Sequence, residues 1–300
     1  MNKTKIIVTG LSGLLGSRLK QLLSSDYDFV DFSLETGVDI TKPSLLKEKF
    51  KQNSPASIVL HLAAFTDTTA AWQQRGDKKA SCYQVNVVGS QNILNCCQQF
   101  KKHLIYFSTD FVFDGKKKTA YTETDTPSPL DWYGQTKFLA EDLILKSGLS
   151  ASIIRIAFPF RSHFEPKKDI VRKTIESLKN STLYPMFTDQ IITPTFIDDI
   201  VLSLNYFFQN QPCQIFHLVG STPISPYQLA VAVAKTFGFD PSSVKKGLLA
   251  DYVKKSAPDA RPWAQNLALS NQKVKDLGLD MKDLSSALQT MKTQINHLVN

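Results

Sequence analysis

A glycine-rich turn that directly follows the first apolar run constrains this chain more than any other feature. The run Ile6-Ile7-Val8 predicts a strand, and Gly10-x-x-Gly13-x-x-Gly16 comes after it, where a helical pattern begins. Gly10 permits a tight turn, Gly13 lets a phosphate approach the backbone, and Gly16 lets the helix pack closely on the sheet. Unpaired N–H groups at the start of that helix favour an anion, so the turn predicts a dinucleotide site. Three further residues of the turn are expected to line this site: Ser12, Leu14 and Leu15.

Short apolar runs alternate with longer helical patterns through the first half of the chain. This alternation is typical of a parallel, doubly wound sheet, because such strands are buried on both faces and consist of continuous apolar residues. After the first run, the predicted strands are Phe29–Phe32, Ser57–Leu60, Leu104–Phe107 and Ser152–Ile156. The predicted helices are Leu14–Leu23, Ser44–Phe50, Ala80–Phe100 and Trp132–Lys146.

The pattern loosens after about residue 158, where proline-containing loops separate helices predicted over 168–179 and 196–208. We therefore expect residues 1–158 to form a dinucleotide-binding domain and residues 159–300 to form mainly a smaller substrate-binding lobe. A strand predicted over 214–219 is expected to return to the main sheet. The predicted fold class is α/β, a doubly wound parallel sheet with a smaller C-terminal lobe.

Composition narrows the class of protein. No uncharged run approaches the roughly 20 residues that a membrane span needs, so we expect no membrane association and a cytoplasmic location. The 4 cysteines form neither a zinc-binding spacing nor a disulfide framework, so no metal site is predicted. The net charge of +8 is spread over many helices. Such a distribution argues against nucleic-acid binding and suits an anionic small molecule.

The end of the second predicted strand bears on the choice of cofactor. Many dinucleotide enzymes place an Asp or Glu there to hold the adenosine ribose hydroxyls, whereas this chain has Ser33. Without a carboxylate to repel a 2′-phosphate, both NADP and NAD are permitted, with a slight preference for NADP. Asp39 and Ile40 follow, and two interpretations are open: they border the adenine, or Asp39 caps the next helix together with Thr41.

Four polar residues are candidates for the chemistry. Tyr133 and Lys137 are four residues apart in a predicted helix, so both side chains lie on one face. A tyrosine has a pKa of about 10, and an ammonium group beside it stabilises the phenolate. Thr109 follows the fourth predicted strand, at the carboxyl edge where doubly wound sheets bind ligands. Asn86, inside the preceding long helix, either bends the backbone or takes part in a proton relay.

Several motifs occur together along the chain. Besides the glycine-rich turn they are His61-Leu62-Ala63-Ala64, Ser108-Thr109-Asp110-Phe111-Val112-Phe113-Asp114-Gly115, Tyr121-x-Glu123-x-Asp125, Tyr133-Gly134-x-Thr136-Lys137, Asp189-Gln190, Pro194-Thr195 and Arg261-Pro262. With these motifs the chain resembles the extended short-chain dehydrogenase/reductase family, which has a Rossmann fold. Within that family it is most similar to the dTDP-4-dehydrorhamnose reductases. The resemblance covers essentially the whole chain.

The resemblance implies an NAD(P)-dependent oxidoreductase that reduces the 4-keto group of a nucleotide-linked sugar. It implies that Tyr133 protonates the carbonyl oxygen, that Lys137 binds the nicotinamide ribose and lowers the tyrosine pKa, and that Thr109 holds the carbonyl. The resemblance also implies that Asn86 occupies the position of the residue that takes part in the proton relay. Further cofactor contacts are implied at Leu62, Ala63 and Ala64. Substrate contacts are implied at Thr66, Thr109, Asp110, Phe111, Phe158 and Arg261.

This chain departs from the reductase pattern at several positions. Phe111 and Phe158 stand where those enzymes usually carry a tyrosine and a tryptophan, and the segment 66–71 is also unusual. Substrate identity is therefore less constrained than the cofactor and the reaction type. Phe111 argues against a dehydratase, because that reaction needs a glutamate at this position.

Two alternatives to a reductase stay open. One is a nucleotide-sugar epimerase that retains its NAD. The other is a non-catalytic regulatory subunit resembling the β subunit of methionine adenosyltransferase, although the presence of Thr109, Tyr133 and Lys137 favours an enzyme. The predicted partner is a nucleotide-sugar substrate, with a homodimer as one possibility.

Overall fold

The computed structural model describes residues 3–299. The chain divides into two compact units. The first unit consists of the described residues up to Val112, Pro127–Arg155 and Val201–Phe216. The second unit consists of Phe113–Thr126, Ile156–Ile200 and the described residues from His217 onward. The glycine-rich turn therefore belongs to the first unit.

Strands and helices alternate from the beginning of the described chain. The strands are β1 (Thr4–Thr9), β2 (Tyr27–Phe32), β3 (Ile58–His61), β4 (His103–Thr109), β5 (Ala151–Ile156), β6 (Pro159–Phe160), β7 (Met186–Phe187), β8 (Thr195–Phe196), β9 (Ile215–His217) and β10 (Lys246–Gly247). The helices are α1 (Leu14–Leu23), α2 (Pro43–Gln52), α3 (Thr68–Gln73), α4 (Ser81–Tyr83), α5 (Ser90–Gln99), α6 (Trp132–Lys146), α7 (Ile170–Lys179), α8 (Ile197–Asn210), α9 (Pro226–Phe237), α10 (Leu249–Lys255), α11 (Gln272–Asp276) and α12 (Leu284–Val299).

A six-stranded sheet with the order β2-β1-β3-β4-β5-β9 forms the centre of the first unit. Strand β1 pairs in parallel with both β2 and β3, and β3 pairs in parallel with β4. Every residue of β3 and β4 is buried, as expected when helices cover both faces. Because parallel strands end at one edge, Thr9, His61 and Thr109 all lie at the carboxyl edge of the sheet. This topology confirms the predicted Rossmann-type α/β fold.

Helix α1 packs on this sheet through one apolar face. Leu15, Leu19 and Leu23 recur every four residues and are all buried. Each fully buried leucine contributes about 1.5–3 kcal/mol relative to an exposed one. The helix therefore forms because its apolar stripe matches the sheet, and it carries the glycine-rich turn at its N-terminus.

Helix α6 has ionisable residues on its buried face. Glu141 accepts from Arg155 of β5 through two parallel hydrogen bonds, Nε to Oε1 at 3.0 Å and Nη2 to Oε2 at 2.6 Å. Both side chains are almost fully buried. Each charge is therefore paired with an opposite charge, and removal of either partner would leave a buried charge that is energetically very unfavourable. This ion pair fixes α6 against the sheet and thereby positions Tyr133 and Lys137.

The second unit is mainly helical. Its two small sheets have the orders β10-β7 and β6-β8. Helix α9 begins at Ser225 with a capping box, in which Ser225 and Gln228 satisfy each other's backbone N–H groups. The hydrophobic core of the second unit contains Phe160, Phe196 and Leu229 together with residues of α12.

Two sequence-based expectations differ from the structure. The helix predicted over Ala80–Phe100 is interrupted, because a π-helical turn, Gln84–Gly89, separates α4 from α5. The domain boundary was expected at residue 158, with a later strand returning to the first domain. In the structure the segment 113–126 belongs to the second unit and 201–216 belongs to the first. The strand predicted over 214–219 does join the main sheet, as β9 next to β5. Within residues 3–299, no helix is both long and apolar enough to span a membrane.

Candidate active site

Each of the three glycines in the first turn is required for a different structural reason. Gly10 has a φ of +70°, and a Cβ there would lie 2.8 Å from the backbone nitrogen of Ala63. A Cβ on Gly16 would lie 2.5 Å from the Gly10 carbonyl oxygen, so this glycine lets α1 pack on the turn itself. A Cβ on Gly13 would meet only that same oxygen, at 3.1 Å. Gly13 is the N-cap of α1 and makes no side-chain cap, and the N-terminus of a helix is a favourable place for an anion.

Thr9 and His61 join the turn to the loop after β3. Thr9 Oγ1 lies 2.6 Å from His61 Nδ1 and accepts the N–H of Ala63 at 3.1 Å. The other ring nitrogen of His61 lies 3.0 Å from Ser90 Oγ. Burial lowers the pKa of His61 to about 3, with a smaller effect from Lys137. His61 is therefore neutral and positions the expected cofactor loop, residues 62–64.

Ser33 follows β2 directly, and the β1–β2 register places it beside the start of the glycine-rich turn. Asp39 accepts the N–H of Thr41 at 2.9 Å and its hydroxyl at 2.7 Å. These two hydrogen bonds indicate that Asp39 stabilises a local turn, and they argue against a contact between Asp39 and adenine. The helix-cap interpretation needs a correction, because the N-cap of α2 is Lys42 and not Asp39. Ile40 is buried.

A carboxylate that the sequence analysis did not assign lies at the end of β2. Glu35 belongs to a single 3₁₀ turn, Leu34–Thr36. A hydrogen bond from its own backbone N–H lowers the pKa of Glu35, and the hydroxyls of Ser12 and Ser33 lower it further. Ser12 belongs to the glycine-rich turn, so the Glu35 carboxylate is held beside it. Sequence analysis missed it because Glu35 stands two positions beyond Ser33.

Thr109 and Asp110 lie at the carboxyl end of β4. Thr109 Oγ1 is hydrogen-bonded to Asp110 Oδ1 at 2.9 Å and accepts the N–H of Phe111 at 3.3 Å. The Thr109 hydroxyl also lies beside the phenol of Tyr133 and acts to lower its pKa. Asp110 is 1% exposed, and this burial raises the pKa of its carboxyl to about 7. The structure thus brings three predicted site residues together.

Tyr133 lies in the first turn of α6 and is buried. Burial and the nearby charge of Asp110 raise the pKa of the phenol, while the hydrogen bond from Thr109 lowers it. The direction is opposite to the expected lowering by Lys137, because desolvation raises the pKa and the negative charges of Asp110 and Asp131 add to the increase. A raised pKa keeps Tyr133 protonated near neutral pH, as a proton donor requires.

Lys137 lies one helical turn further along the same face of α6. Its Nζ donates to the carbonyl oxygen of Phe107 at 2.7 Å and lies 4.2 Å from the ring centroid of Tyr106. Burial lowers the pKa of Lys137 to about 7, and the charge of Glu141 acts in the opposite direction. The ammonium group is therefore anchored to β4.

Asn86 lies in the π-helical turn and is almost completely buried. Its Nδ2 donates to the carbonyl oxygen of Phe65 at 3.1 Å, and its Oδ1 accepts the Phe65 N–H at 2.8 Å. Nδ2 also donates to Thr136 Oγ1 at 3.0 Å. Because both amide protons have acceptors, Asn86 holds the loop after β3. The distorted helix agrees with the backbone-bending interpretation, and the proton relay stays a prediction.

Phe111 and Gly134 explain how closely α6 approaches the end of β4. The rings of Phe111 and Tyr133 meet edge to face with centroids 5.7 Å apart. A Cβ on Gly134 would lie 2.1 Å from the carbonyl oxygen of Phe111, so only glycine fits. Thr66 lies in the loop held by Asn86 and is exposed.

The remaining predicted substrate residues belong to the second unit. Phe158 has a φ of +42°, a left-handed conformation that is rare for an aromatic residue and clusters at functional sites. The guanidinium of Arg261 lies 4.4 Å from the ring centroid of Trp263. Trp263 in turn packs edge to face on Phe187, with centroids 6.1 Å apart. Arg261 is thus supported by an aromatic cluster.

Cys82 is a second residue that sequence analysis missed. Its Sγ lies 3.6 Å from Thr136 Oγ1, and its charge state affects the pKa of both Tyr133 and Lys137. Burial raises the pKa of the thiol, so Cys82 is neutral near pH 7. A single cysteine in a helical pattern gives no sequence signal of this proximity.

The doubly wound sheet, the glycine-rich turn and the Tyr-x-x-x-Lys helix beside β4 define a short-chain dehydrogenase/reductase of the extended type. The family model described as RmlD substrate binding domain matches residues 4–297. The chain belongs to this family.

Named relatives agree with this assignment. The chain is similar to a dTDP-4-dehydrorhamnose reductase of Aggregatibacter actinomycetemcomitans, with 28% identity over 76% of this chain and 78% of the relative. It is also similar to a probable low-salt glycan biosynthesis reductase of Haloferax volcanii, with 25% identity over 95% of this chain and 96% of the relative. The crystal structure of a Bacillus anthracis dTDP-4-dehydrorhamnose reductase in complex with NADP superposes with a TM-score of 0.87, at 22% identity, over 98% of this chain and 100% of that one.

Proposed function

We propose that this chain is an NAD(P)H-dependent reductase that converts the 4-keto group of a nucleotide-linked sugar to an alcohol. Membership of the RmlD family and the names of its relatives support this reaction and substrate class. The observation that carries the proposal is the proximity of the Thr109 hydroxyl to the Tyr133 phenol at the carboxyl end of β4. Two hydroxyl groups placed together at this edge can both donate to one carbonyl oxygen.

The glycine-rich turn fits the pyrophosphate of a dinucleotide. Gly13 has no side chain to stand between the backbone and a phosphate, and the N-terminus of α1 has no capping side chain. Bound there, NAD(P)H supplies the hydride. The proposed contacts along this site are Gly10, Ser12, Gly13, Leu14, Leu15, Gly16, Ser33, Asp39, Ile40, Leu62, Ala63, Ala64, Tyr133 and Lys137. Asp39 and Ile40 have the weakest support among them, because Asp39 is committed to Thr41 and Ile40 is buried.

Tyr133 is the proton donor in this mechanism. The substrate carbon gains a hydride, and the carbonyl oxygen gains the phenolic proton, so that the ketone becomes an alcohol and Tyr133 a phenolate. Thr109 holds the same oxygen through its hydroxyl. Lys137 lies on the same helical face and offsets the phenolate charge. Positioning of these groups on a rigid sheet edge supplies much of the rate enhancement.

The proposed substrate contacts fall into two groups, one in each unit. In the first unit they are Thr66, Asp110 and Phe111, beside the reactive carbonyl. In the second unit, Arg261 lies within the predicted substrate-binding lobe over 159–300 and binds a phosphate group, because its planar guanidinium offers two parallel donors. Phe158, just before this lobe, contributes an apolar contact with the sugar, and its left-handed backbone fixes where its ring stands.

A substrate screen tests this function. Purified protein is mixed with NADH or NADPH and a panel of nucleotide-linked 4-keto sugars, and cofactor oxidation is followed by absorbance at 340 nm. The proposal expects saturable oxidation with at least one of these sugars. Tightly bound NAD together with interconversion of epimers would instead support the epimerase. No turnover with the panel, together with co-purification of a synthetase, would support the regulatory subunit.

Two further expectations concern the whole protein. We infer a cytoplasmic enzyme, because its proposed substrates are charged nucleotide sugars that need no membrane contact. A homodimer stays a prediction. Light scattering coupled to gel filtration distinguishes it from a monomer of 33.6 kDa.

A further inference from the structure

A buried carboxyl group lies next to the proposed reaction centre without a complete set of partners. Asp110 is 1% exposed, and its Oδ1 is hydrogen-bonded to Thr109 Oγ1 at 2.9 Å. Its second oxygen, Oδ2, is buried and has no hydrogen-bond partner among residues 3–299. An ionised carboxylate in this position is strongly disfavoured, because one of its oxygens lacks any donor. A neutral carboxylic acid fits the site better.

The protonation state of Asp110 decides where the Thr109 proton points. A threonine hydroxyl has one proton to donate and two lone pairs that accept. If Asp110 is ionised, the Thr109 proton is used on Oδ1, and Thr109 can only accept the proton of Tyr133. If Asp110 is neutral, it donates to Thr109 Oγ1, and the Thr109 proton turns away from it. The proton of Tyr133 is then also free to point at the substrate.

We propose that Asp110 is a positioning residue that acts as a neutral carboxylic acid and, through Thr109, directs two hydroxyl protons at the substrate carbonyl. This inference rests on the proposed reductase function. In the neutral state, Thr109 and Tyr133 both donate to the carbonyl oxygen as it gains negative charge. In the ionised state, the Thr109 hydroxyl does not donate to the carbonyl oxygen. It instead accepts a hydrogen bond from Tyr133, whose proton the reaction needs.

The groups around Asp110 set the pH range of this effect. Burial raises the pKa of Asp110 to about 7. The hydrogen bond from Thr109 and the backbone N–H groups of Asp110 and Phe111 oppose this increase, and the negative charge of Asp131 adds a smaller one. The neutral, active form is therefore present below pH 7 and is lost as the pH rises. Lys137 also has a pKa of about 7, and Tyr133 and Cys82 stay protonated in this range. An alkaline loss of rate can thus come from Asp110, from Lys137, or from both.

The substitution Asp110→Asn separates these two contributions. An asparagine stays neutral at every pH, and its amide can donate to Thr109 as the neutral acid does. We compare kcat at pH 6 with kcat at pH 9 under saturating substrate. The proposal expects this pH 6 to pH 9 ratio to be at least tenfold smaller in D110N than in the wild type. A smaller change would mean that Asp110 does not control the alkaline loss and would overturn the proposal.

Asp131→Asn is the matched control. Asp131 is a second buried acid near Tyr133, and it caps α6 by accepting the N–H of Gly134 at 2.8 Å. Asparagine caps helices about as well as aspartate. D131N should therefore keep the alkaline loss of rate, with its midpoint moved slightly to lower pH. If D131N loses the alkaline dependence as D110N does, the effect comes from the overall charge and not from the Thr109 contact.

A measurement without substrate keeps this test independent of the proposed function. In protein labelled with ¹³C at the aspartate carboxyl carbons, NMR follows each carboxyl group as the pH changes. We expect one resonance that titrates near pH 7 and is missing in D110N. If this resonance is present but no keto sugar is reduced, the reductase function fails. If sugars are reduced and every aspartate titrates below pH 5, the inference about Asp110 fails.

Discussion

Asn86 pairs with the backbone of Phe65 as a neighbouring strand would, donating to its carbonyl oxygen at 3.1 Å and accepting its N–H at 2.8 Å. The pair joins the π-helical turn to the loop that follows β3. The helix is wider at this point, and the side chain of Asn86 reaches across to a loop 21 residues earlier in the chain. We expect this contact to contribute to the stability of the fold.

Asn86→Asp should destabilise the fold by about 2–3 kcal/mol, because a carboxylate would face the Phe65 carbonyl oxygen without a proton to donate. Urea unfolding followed by circular dichroism measures this change. Asn95→Asp is the matched control, since Asn95 is exposed on α5 and only accepts a hydrogen bond, from Gln91. Equal stability of the two variants would show that the Phe65 contact is unimportant.

Gly13 and Gly16 should respond differently to substitution. Gly13→Val should weaken dinucleotide binding at least about 100-fold, because its side chain fills the space of the pyrophosphate. Its melting temperature should fall less than that of Gly16→Ala, since the added Cβ meets a single oxygen at 3.1 Å, whereas a Cβ on Gly16 would lie 2.5 Å from the same oxygen. Gly16→Ala should instead lower the free energy of unfolding by about 1–3 kcal/mol, because its Cβ would lie 2.5 Å from a backbone oxygen. Fluorescence titration and thermal unfolding measure the two effects, and a G13V protein that binds NADPH normally contradicts the site.

Glu35 should favour NADH over NADPH. Its carboxylate is held beside Ser12 of the glycine-rich turn, where it can accept ribose hydroxyls and repel a 2′-phosphate. This contrasts with the slight preference for NADP that Ser33 alone suggested. Glu35→Gln should change the ratio of the two dissociation constants about tenfold in favour of NADPH, or about 1.4 kcal/mol. Glu48→Gln, an exposed change on α2, should leave the ratio unaltered. An unchanged ratio in E35Q would place the adenosine ribose elsewhere.

The sequence was most informative where local patterns and packing agree. The predicted bounds of α1 and α6 match the structure residue for residue, because leucines of α1 recur every four residues and α6 begins at a capping aspartate, Asp131. The glycine-rich turn and the Thr109–Tyr133 proximity were also predictable. Both follow from the order of strands in a doubly wound sheet.

Other features depend on contacts that a single sequence does not reveal. The π-helical turn exists because Asn86 reaches Phe65, and nothing in the pattern over 80–100 indicates that contact. The pKa of Tyr133 was expected to fall beside Lys137 but is raised, because burial of the phenol and the nearby negative charge of Asp110 act in the same direction. The role of Glu35 was not predicted, because its position beside Ser12 depends on a 3₁₀ turn.

The most direct measurement of the central claim is single-turnover reduction of a keto sugar by Tyr133→Phe with NADPH or NADH already bound. Phenylalanine keeps the ring packed against Phe111 and removes only the hydroxyl group that donates the proton. Tyr184→Phe, an exposed tyrosine of the second unit, is the control. We predict that Y133F loses at least about 100-fold in rate while its cofactor affinity stays within about threefold of the wild type. Wild-type turnover by Y133F would contradict the mechanism.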